Sequence, residues 1–176
     1  MASETASMNE QAAATAEEEG PPPIPSPEYQ AAGGRVGDFL VDSCDFGAVD
    51  ISAKEYAFSD LPTDAAAGPT VIGFTNAGNE FHELILVKLA DGEERPLEEL
   101  LALPDEEVDG LITDTAFAFA PPDTATTVTA DLDPGRYVSI CFVPVGITPA
   151  ALESGAPLDD TDGHFMHGMV DEFRVA

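Results

Sequence analysis

Short apolar runs separated by turn residues make up most of the chain after Val36. In FGAVDISAKEYAFS the apolar residues alternate with polar ones around Val49, Ile51 and Ala53, and five further runs follow: TVIGFTNAG, HELILVKL, TATTVTADL, RYVSICFV and MVDEFRV. Alternation between strand faces, punctuated by Gly, Pro and Asp, is typical of short strands with one buried face. The pattern predicts an all-β protein, a β-sandwich whose consecutive strands cross between two sheets.

One stretch, RPLEELLALPDEEVDGLITDTAF, has helical spacing instead. Its apolar positions are Leu97, Leu100, Leu101, Val108, Leu111 and Ile112. Pro104 interrupts the series, and proline inside a helical pattern ends the helix. We therefore predict one or two short helices inserted between strands, with their leucine face covering one edge of the sandwich. A docking helix for a partner protein is the alternative function of this stretch.

The first 36 residues contain almost no large apolar side chains, one acidic run and the segment PPPIPSP. Such a stretch cannot bury enough apolar surface to offset the entropy lost on ordering. We predict that residues 1–36 form a disordered tether, extended around its prolines, and that residues 37–176 form the folded domain. We expect no signal peptide, because no charged start precedes an apolar core, and no membrane span.

The chain is strongly acidic, with 34 Asp and Glu against 6 Lys and Arg, a net charge of −28. Six acidic residues and one basic residue precede Gly37, so the predicted domain keeps 28 against 5, a net charge of −23. This field disfavours nucleic acid and anionic membranes as partners, and it attracts basic proteins or cations. Adaptation to high salt, or a genome rich in Ala, Asp and Glu codons, accounts for the charge equally well, and the presence of only two lysines favours that explanation.

Candidate chemistry is concentrated near the end of the chain. The predicted strand RYVSICFV contains Cys141, and HFMHGM contains two His and two Met residues between His164 and Met169. The third His of the chain, His82, opens another predicted strand. Two His, one Cys and a weak axial Met are the ligands of blue-copper electron-transfer sites.

Three motifs, in this order, resemble those of the small cupredoxins of the plastocyanin, halocyanin and pseudoazurin group. They are N-x-G-x-x-x-H, G-x-Y-x-x-x-C and H-x-x-x-x-M-V, and the likeness covers residues 46–176. The matching residues are Asn76, Gly78 and His82, then Gly135, Tyr137 and Cys141, then His164, Met169 and Val170.

The resemblance implies a cupredoxin-like Greek-key β-sandwich with a short helical insertion and one bound copper ion, Cu(I) or Cu(II). The implied copper ligands are His82, Cys141, His164 and Met169. It further implies a monomeric one-electron carrier, not an enzyme, that is secreted or associated with the cell envelope and serves a redox partner protein, which the acidity suggests is basic. Three His residues are too few for the trinuclear cluster of a multicopper oxidase. By the same resemblance, the edge of His164 would reach the surface as the exit for the electron, beside an apolar docking patch of Phe142, Val143 and Phe165.

One departure from the family concerns the spacing of two ligands. In cupredoxins a few residues separate the Cys from the second His, whereas here residues 142–163 intervene, 22 in all. Their content of Pro, Gly and Asp predicts a loop excursion. Because the entropy cost of closing a loop grows slowly with its length, its two ends could still meet at the site. The alternative is a cupredoxin-like binding module without a blue copper site, either metal-free or used for copper storage or delivery.

Other interpretations of the ligand residues stay open from the sequence. Cys141 could be a buried structural residue or form a disulfide with Cys44, which would remove the thiolate. His82 could be a half-buried residue with a satisfied hydrogen bond. His167 and Met166 are the rivals of His164 and Met169, and we expect Met166 to pack in the core. Ser139 shares a strand face with Cys141, which puts an unexplained polar residue beside the thiol.

Overall fold

The computed structural model of the protein describes residues 26–155 and 161–176. The strands in this part of the chain are β1 Gly47–Lys54, β2 Ala57–Ser59, β3 Asp64–Ala65, β4 Gly68–Asn76, β5 His82–Leu89, β6 Ile112–Ala120, β7 Thr124–Leu132, β8 Gly135–Ile140 and β9 Val170–Val175. The helices are α1 Pro27–Cys44, α2 Leu97–Leu100, α3 Asp105–Val108 and α4 Pro149–Ser154, with a 3-10 turn at His164–His167.

The strands form two mixed sheets. The four-stranded sheet has the order β2-β1-β4-β7, and the five-stranded sheet has the order β3-β9-β8-β5-β6. Most neighbouring strands are antiparallel, but β1 runs parallel to β4 and β3 runs parallel to β9. The predicted all-β sandwich is confirmed.

The main hydrophobic core lies between the two sheets. Ile51 of β1 and Phe74 of β4 enter it from one side, while Leu86 of β5 and Tyr137 of β8 enter it from the other, and all four are buried. Burying a side chain of this size stabilises the folded state by about 1.5–3 kcal/mol. Cys141 belongs to the same core, so the candidate thiol ligand is held by the packing that stabilises the sandwich.

The predicted helical insertion is present as α2 and α3. Leu100 of α2 packs with Val87 and Leu89 of β5 and with Val138 of β8 in a second apolar cluster. These strand residues point away from the main core, so the insertion covers the outer face of the five-stranded sheet and not its edge. Ile112, expected on the helical stripe, instead begins strand β6.

Helix α1 crosses the boundary that the sequence analysis set at residue 36. Ser26 caps it by accepting a hydrogen bond from the Tyr29 N–H, and Pro27 stands at the first turn, where the missing N–H costs nothing. The helix lies so close to the four-stranded sheet that a Cβ on Gly37 would stand 2.9 Å from Thr127 Cγ2. Residues 27–36 are therefore helical, contrary to the expected tether. The expected disorder of residues 1–25 concerns a segment outside the described residues, and the division into tether and domain stays a prediction.

Among the described residues, no helix combines the length and the apolar character that crossing a membrane requires.

Candidate metal centre

Three segments of the chain bring one donor group each to the same point at one end of the sandwich. His82 is the first residue of β5, Cys141 follows β8 directly, and His164 begins the 3-10 turn before β9. All three side chains are fully buried. The Nδ1 atoms of His82 and His164 lie 3.1 Å apart, and Cys141 Sγ lies 3.4 Å from His164 Nδ1. The three donor atoms are within 4.8 Å of one another, close enough to share one metal ion.

The long spacer between Cys141 and His164 is closed at its base. Pro144 and Gly163 pair as an antiparallel bridge. On the site side of this bridge, the His164 N–H donates to the Val143 carbonyl at 2.9 Å, and the Phe165 N–H donates to the Cys141 carbonyl at 2.9 Å. The backbone therefore returns His164 to Cys141 although 22 residues separate them in the sequence.

Met169 is fully buried in the main core beside the cluster. Its N–H donates to the His164 carbonyl at 3.1 Å, and its carbonyl accepts from the Cys141 N–H at 3.2 Å. These two hydrogen bonds place the Met169 backbone against both of the neighbouring candidate ligands.

The two rival ligands lie outside the cluster. Met166, which we expected in the core, is 60% exposed, because the 3-10 turn directs it away from the sandwich. His167 is also exposed, and its Nε2 atom lies 2.6 Å from a carboxylate oxygen of Asp162. The structure thus brings His164, and not His167, to Cys141.

Two carboxylates face the outer nitrogens of the histidines, and sequence reasoning missed both. Glu80 Oε2 lies 3.1 Å from His164 Nε2, and Glu55 Oε1 lies 3.6 Å from His82 Nε2. Both glutamate side chains are largely buried, with exposed fractions of 14% and 18%. The only sequence signal for Glu80 was its position two residues before His82, inside the first motif.

A third carboxylate holds the backbone around the thiol. Glu83 Oε1 accepts a hydrogen bond from the Phe142 N–H at 2.9 Å, and the Glu83 N–H points to Cys141 Sγ at 3.5 Å. An N–H directed at sulfur stabilises negative charge on it, and such hydrogen bonds tune metal–thiolate sites.

Burial dominates the electrostatics of the cluster. It lowers the pKa of His82 to about 4, with a further contribution from the nearby His164, and it lowers the pKa of His164 as well. Burial also raises the pKa of the Cys141 thiol to about 12. Neutral imidazoles are the form that binds metals, whereas a buried thiolate needs a nearby positive charge to form.

The donor set suits a soft metal ion. A carboxylate beside Nε2 accepts the ring proton there, which leaves Nδ1 as a lone pair. Glu80 is in this position for His164, so the Nδ1 lone pair of His164 is directed toward His82 and Cys141. Glu55 is too far from His82 Nε2 for a hydrogen bond, at 3.6 Å, and that nitrogen has no hydrogen-bond partner among the described residues. At 3.1 Å the two Nδ1 atoms either share a proton, with His82 donating to His164, or share a cation. Imidazole nitrogen with thiolate sulfur is a combination that copper and zinc prefer.

The position of the cluster within the sandwich shows which type of β-sandwich this is. A loop before β5, the end of β8 and the turn before β9 converge at one end of two packed sheets, in the order that the three motifs predict. The fold is cupredoxin-like. In this cupredoxin-like sandwich, helices α2 and α3 form the short insertion.

No family model and no curated protein matches the chain. Among solved structures it is similar to a dithionite-reduced auracyanin from Roseiflexus castenholzii, with 20% identity over 73% of this chain and 96% of that one and a TM-score of 0.46. Auracyanin A, a "blue" copper protein from Chloroflexus aurantiacus, shares 22% identity over 73% and 98% of the two chains, with a TM-score of 0.42. Rusticyanin from Thiobacillus ferrooxidans shares 15% identity over 73% and 77%, with a TM-score of 0.41.

The surface near the cluster differs from the expectation. His164 has no exposed edge, because its side chain is fully buried and its Nε2 faces Glu80. Val143, expected on the apolar patch, is buried, whereas Phe142 is 48% exposed and its ring packs 5.0 Å from that of Phe165. The expected exit at His164 is therefore wrong, and the patch is reduced to two phenylalanines.

Both cysteines are free. Cys44 is exposed at the end of α1, whereas Cys141 is buried in the core. The disulfide that would have removed the thiol ligand is not formed.

Proposed function

We propose that this protein is a one-electron carrier whose type 1 copper site is formed by His82, Cys141, His164 and Met169. The observation that carries the proposal is the buried convergence of two imidazole Nδ1 atoms and one thiol sulfur within 4.8 Å. Copper in such a site supplies a Cu(I)/Cu(II) couple. The protein contributes a fixed frame, because the backbones around Cys141, His164 and Met169 are hydrogen-bonded to one another and strand β5, which His82 begins, pairs with β8. Carrying electrons needs no substrate pocket, and we propose no enzymatic activity.

Tyr56 and His167 are our proposed route for the electron to the surface. The Tyr56 ring lies 4.8 Å from the His164 ring and 5.1 Å from the His167 ring. The His167 side chain is 41% exposed, so this chain of aromatic contacts leads from the buried ligand to solvent. It replaces the exposed ligand edge that the resemblance implied.

A redox protein with a basic surface is the proposed partner. The net charge of −28 would attract it over a distance of about 10 Å at 0.1 M salt. By the resemblance to cupredoxins, we also propose that the protein is a monomer and works outside the cytoplasm, secreted or associated with the cell envelope.

An absorption spectrum of the purified protein after addition of Cu(II) and removal of the excess tests the proposal. We expect a strong thiolate-to-copper band at about 600 nm, because the Cys141 sulfur is the donor that gives blue sites their colour. Cys141→Ser should abolish this band, whereas Cys44→Ser, which changes the exposed thiol, should keep it. Copper bound without the band would contradict the carrier and support storage or delivery, and a protein that binds no copper would be a metal-free module.

A further inference from the structure

The carboxylate of Glu80 contacts three separate parts of the candidate site. Its Oε2 atom lies 3.1 Å from His164 Nε2 and accepts a hydrogen bond from the Gly146 N–H. Its Oε1 atom accepts the hydroxyl proton of Tyr56 at 3.1 Å. One side chain therefore joins a candidate ligand, the proposed electron route and the spacer between Cys141 and His164.

We propose that Glu80 is a positioning residue that fixes the orientation and tautomer of His164 and sets the reduction potential of the bound copper. This inference rests on the proposed function for the potential, but its structural part concerns the metal-free protein. Glu80 would take over the task that a short Cys-to-His loop performs in cupredoxins, which is to hold the second His in place.

The backbone of Glu80 is itself held firmly enough for this role. Its carbonyl accepts a hydrogen bond from the Asn76 side-chain amide at 2.8 Å, and its N–H donates to Glu55 at 2.8 Å. Asn76 is fully buried, and its amide also donates to the Ala120 carbonyl at 2.8 Å. Glu80 is thus anchored to the ends of β4 and β6, and not to a free loop.

The spacer is attached to the same point. The Gly146 N–H donates to Glu80, and the next residue, Ile147, accepts a hydrogen bond from the Phe81 N–H at 2.8 Å. These two bonds fasten the spacer beyond its closed base, directly beside the loop that precedes His82. Loss of the Glu80 carboxylate would release both His164 Nε2 and Gly146 N–H.

The charge of Glu80 determines the direction of its effect on the potential. A carboxylate that accepts the Nε2 proton of a ligating histidine increases the electron density at the other nitrogen, which favours the more positive metal ion. Glu80 should therefore stabilise Cu(II) relative to Cu(I) and lower the potential. Replacing the carboxylate with a neutral amide should raise it.

Three variants separate positioning from charge. Glu80→Gln keeps the size and the hydrogen-bonding oxygen but removes the charge, and Glu80→Ala removes both. Asp162→Asn is the matched control, because Asp162 forms a similar carboxylate–imidazole pair with His167 outside the cluster, at 2.6 Å. Near-ultraviolet circular dichroism would establish that each variant is folded.

Two measurements on the metal-free protein decide the structural part. Nitrogen-15 NMR of the imidazoles should show His164 protonated at Nε2 in the wild type and in Asp162→Asn, and a mixture of tautomers in Glu80→Ala. The amide of Gly146 should exchange faster with solvent in Glu80→Ala than in the other proteins. An unchanged tautomer and unchanged exchange in Glu80→Ala would overturn the proposal, whether or not the protein carries copper.

Copper titration and voltammetry test the remaining part. Loss of an outer hydrogen-bond partner typically weakens metal binding about 10–100-fold. If this loss falls on Cu(II) alone, the potential of Glu80→Ala, which loses the partner, rises by about 59–118 mV, since tenfold corresponds to 59 mV for one electron. The potential of Glu80→Gln, which loses only the charge, should rise as well. Asp162→Asn should leave affinity and potential at the wild-type values. Equal potentials in Glu80→Gln and wild type would contradict the tuning role, while a wild type without the absorption band would contradict the proposed function and leave the NMR result standing.

Discussion

Asn76 and Ser139 are both buried polar residues, but in the part of the chain that the structure describes only the Asn76 side chain is hydrogen-bonded. The Asn76 amide donates to two carbonyl groups, whereas the Ser139 hydroxyl has no hydrogen-bond partner among the described residues. Ser139 lies in the core on the face of β8 that carries Tyr137, which agrees with the strand parity read from the sequence. A buried polar group without a partner costs about 1–3 kcal/mol, and a satisfied group costs far less.

We predict that Ser139→Ala raises the free energy of unfolding by about 1 kcal/mol, because it removes an unpaired buried hydroxyl with little change in volume. Asn76→Ala should lower the same free energy by about 2–4 kcal/mol, because it removes the side-chain donor from the Ala120 and Glu80 carbonyls. Urea denaturation of the metal-free variants provides both values. Destabilisation by Ser139→Ala would show that its hydroxyl has a partner in solution.

The residues of the His82–Cys141–His164 cluster were predictable from the sequence, and the carboxylates beside them were not. His82, Cys141 and His164 are rare residue types in three recognisable motifs, so their convergence could be expected from the sequence. Glu80 and Glu55 are two of 34 acidic residues, and apart from the position of Glu80 inside the first motif no pattern distinguishes them from carboxylates that face solvent. Their role depends on where the loops before β5 and after β1 meet, which is a tertiary property.

Helix α1 shows why one element escaped prediction. Its contact with the sheet is made by the small residues Gly33 and Gly37, whereas Tyr29 and Phe39 are exposed. The periodicity of large apolar residues predicts helices that bury such side chains. Helix α1 instead packs on the sheet through positions that carry glycine. The insertion at α2 and α3 has the usual leucine pattern and was predicted, although the covered face could not be deduced from the pattern.

Gly37→Ala should detach α1 or shift it, because the new Cβ would lie 2.9 Å from Thr127 Cγ2 and 3.0 Å from Val71 Cγ1. We expect a loss of about 1–3 kcal/mol, as for other overpacked sites. Gly34→Ala is the control in the same helix, since a Cβ there would meet no atom within 4 Å, and alanine favours helix by about 1 kcal/mol over glycine. Thermal unfolding of both variants compares them. If Gly37→Ala lowers the unfolding temperature no more than Gly34→Ala does, α1 does not pack on the sheet as described.

At the scale of the whole molecule, charge and fold are separate properties. The sandwich is set by alternating apolar residues, whereas the net charge of −28 sets the long-range electrostatic field of the chain. The sequence alone could not distinguish recognition of a basic partner from adaptation to high salt, because both produce the same composition.

The rate of electron exchange with small charged redox complexes reports on the electrostatic field around the protein. We predict that the rate at which a cationic complex oxidises the protein loaded with Cu(I) falls as the ionic strength rises, because salt screens the attraction. The rate with an anionic complex should rise over the same range. Electrostatic steering typically changes association rates about 10–1000-fold, so the two trends should be clear in stopped-flow experiments. Trends of the same sign for both reagents would show that the exit point lies outside the acidic field.

The bridge between Pro144 and Gly163 keeps Cys141 and His164 close in space although they are far apart along the chain. Because the backbone closes on itself there, the register of Cys141 and His164 is set at the bridge and not by the number of residues beyond it. A sequence pattern that counts the residues between Cys141 and His164 would reject this protein, although the two side chains are in contact. Patterns built on the pairs that flank such a closure would find Cys–His clusters that a count of the intervening residues hides.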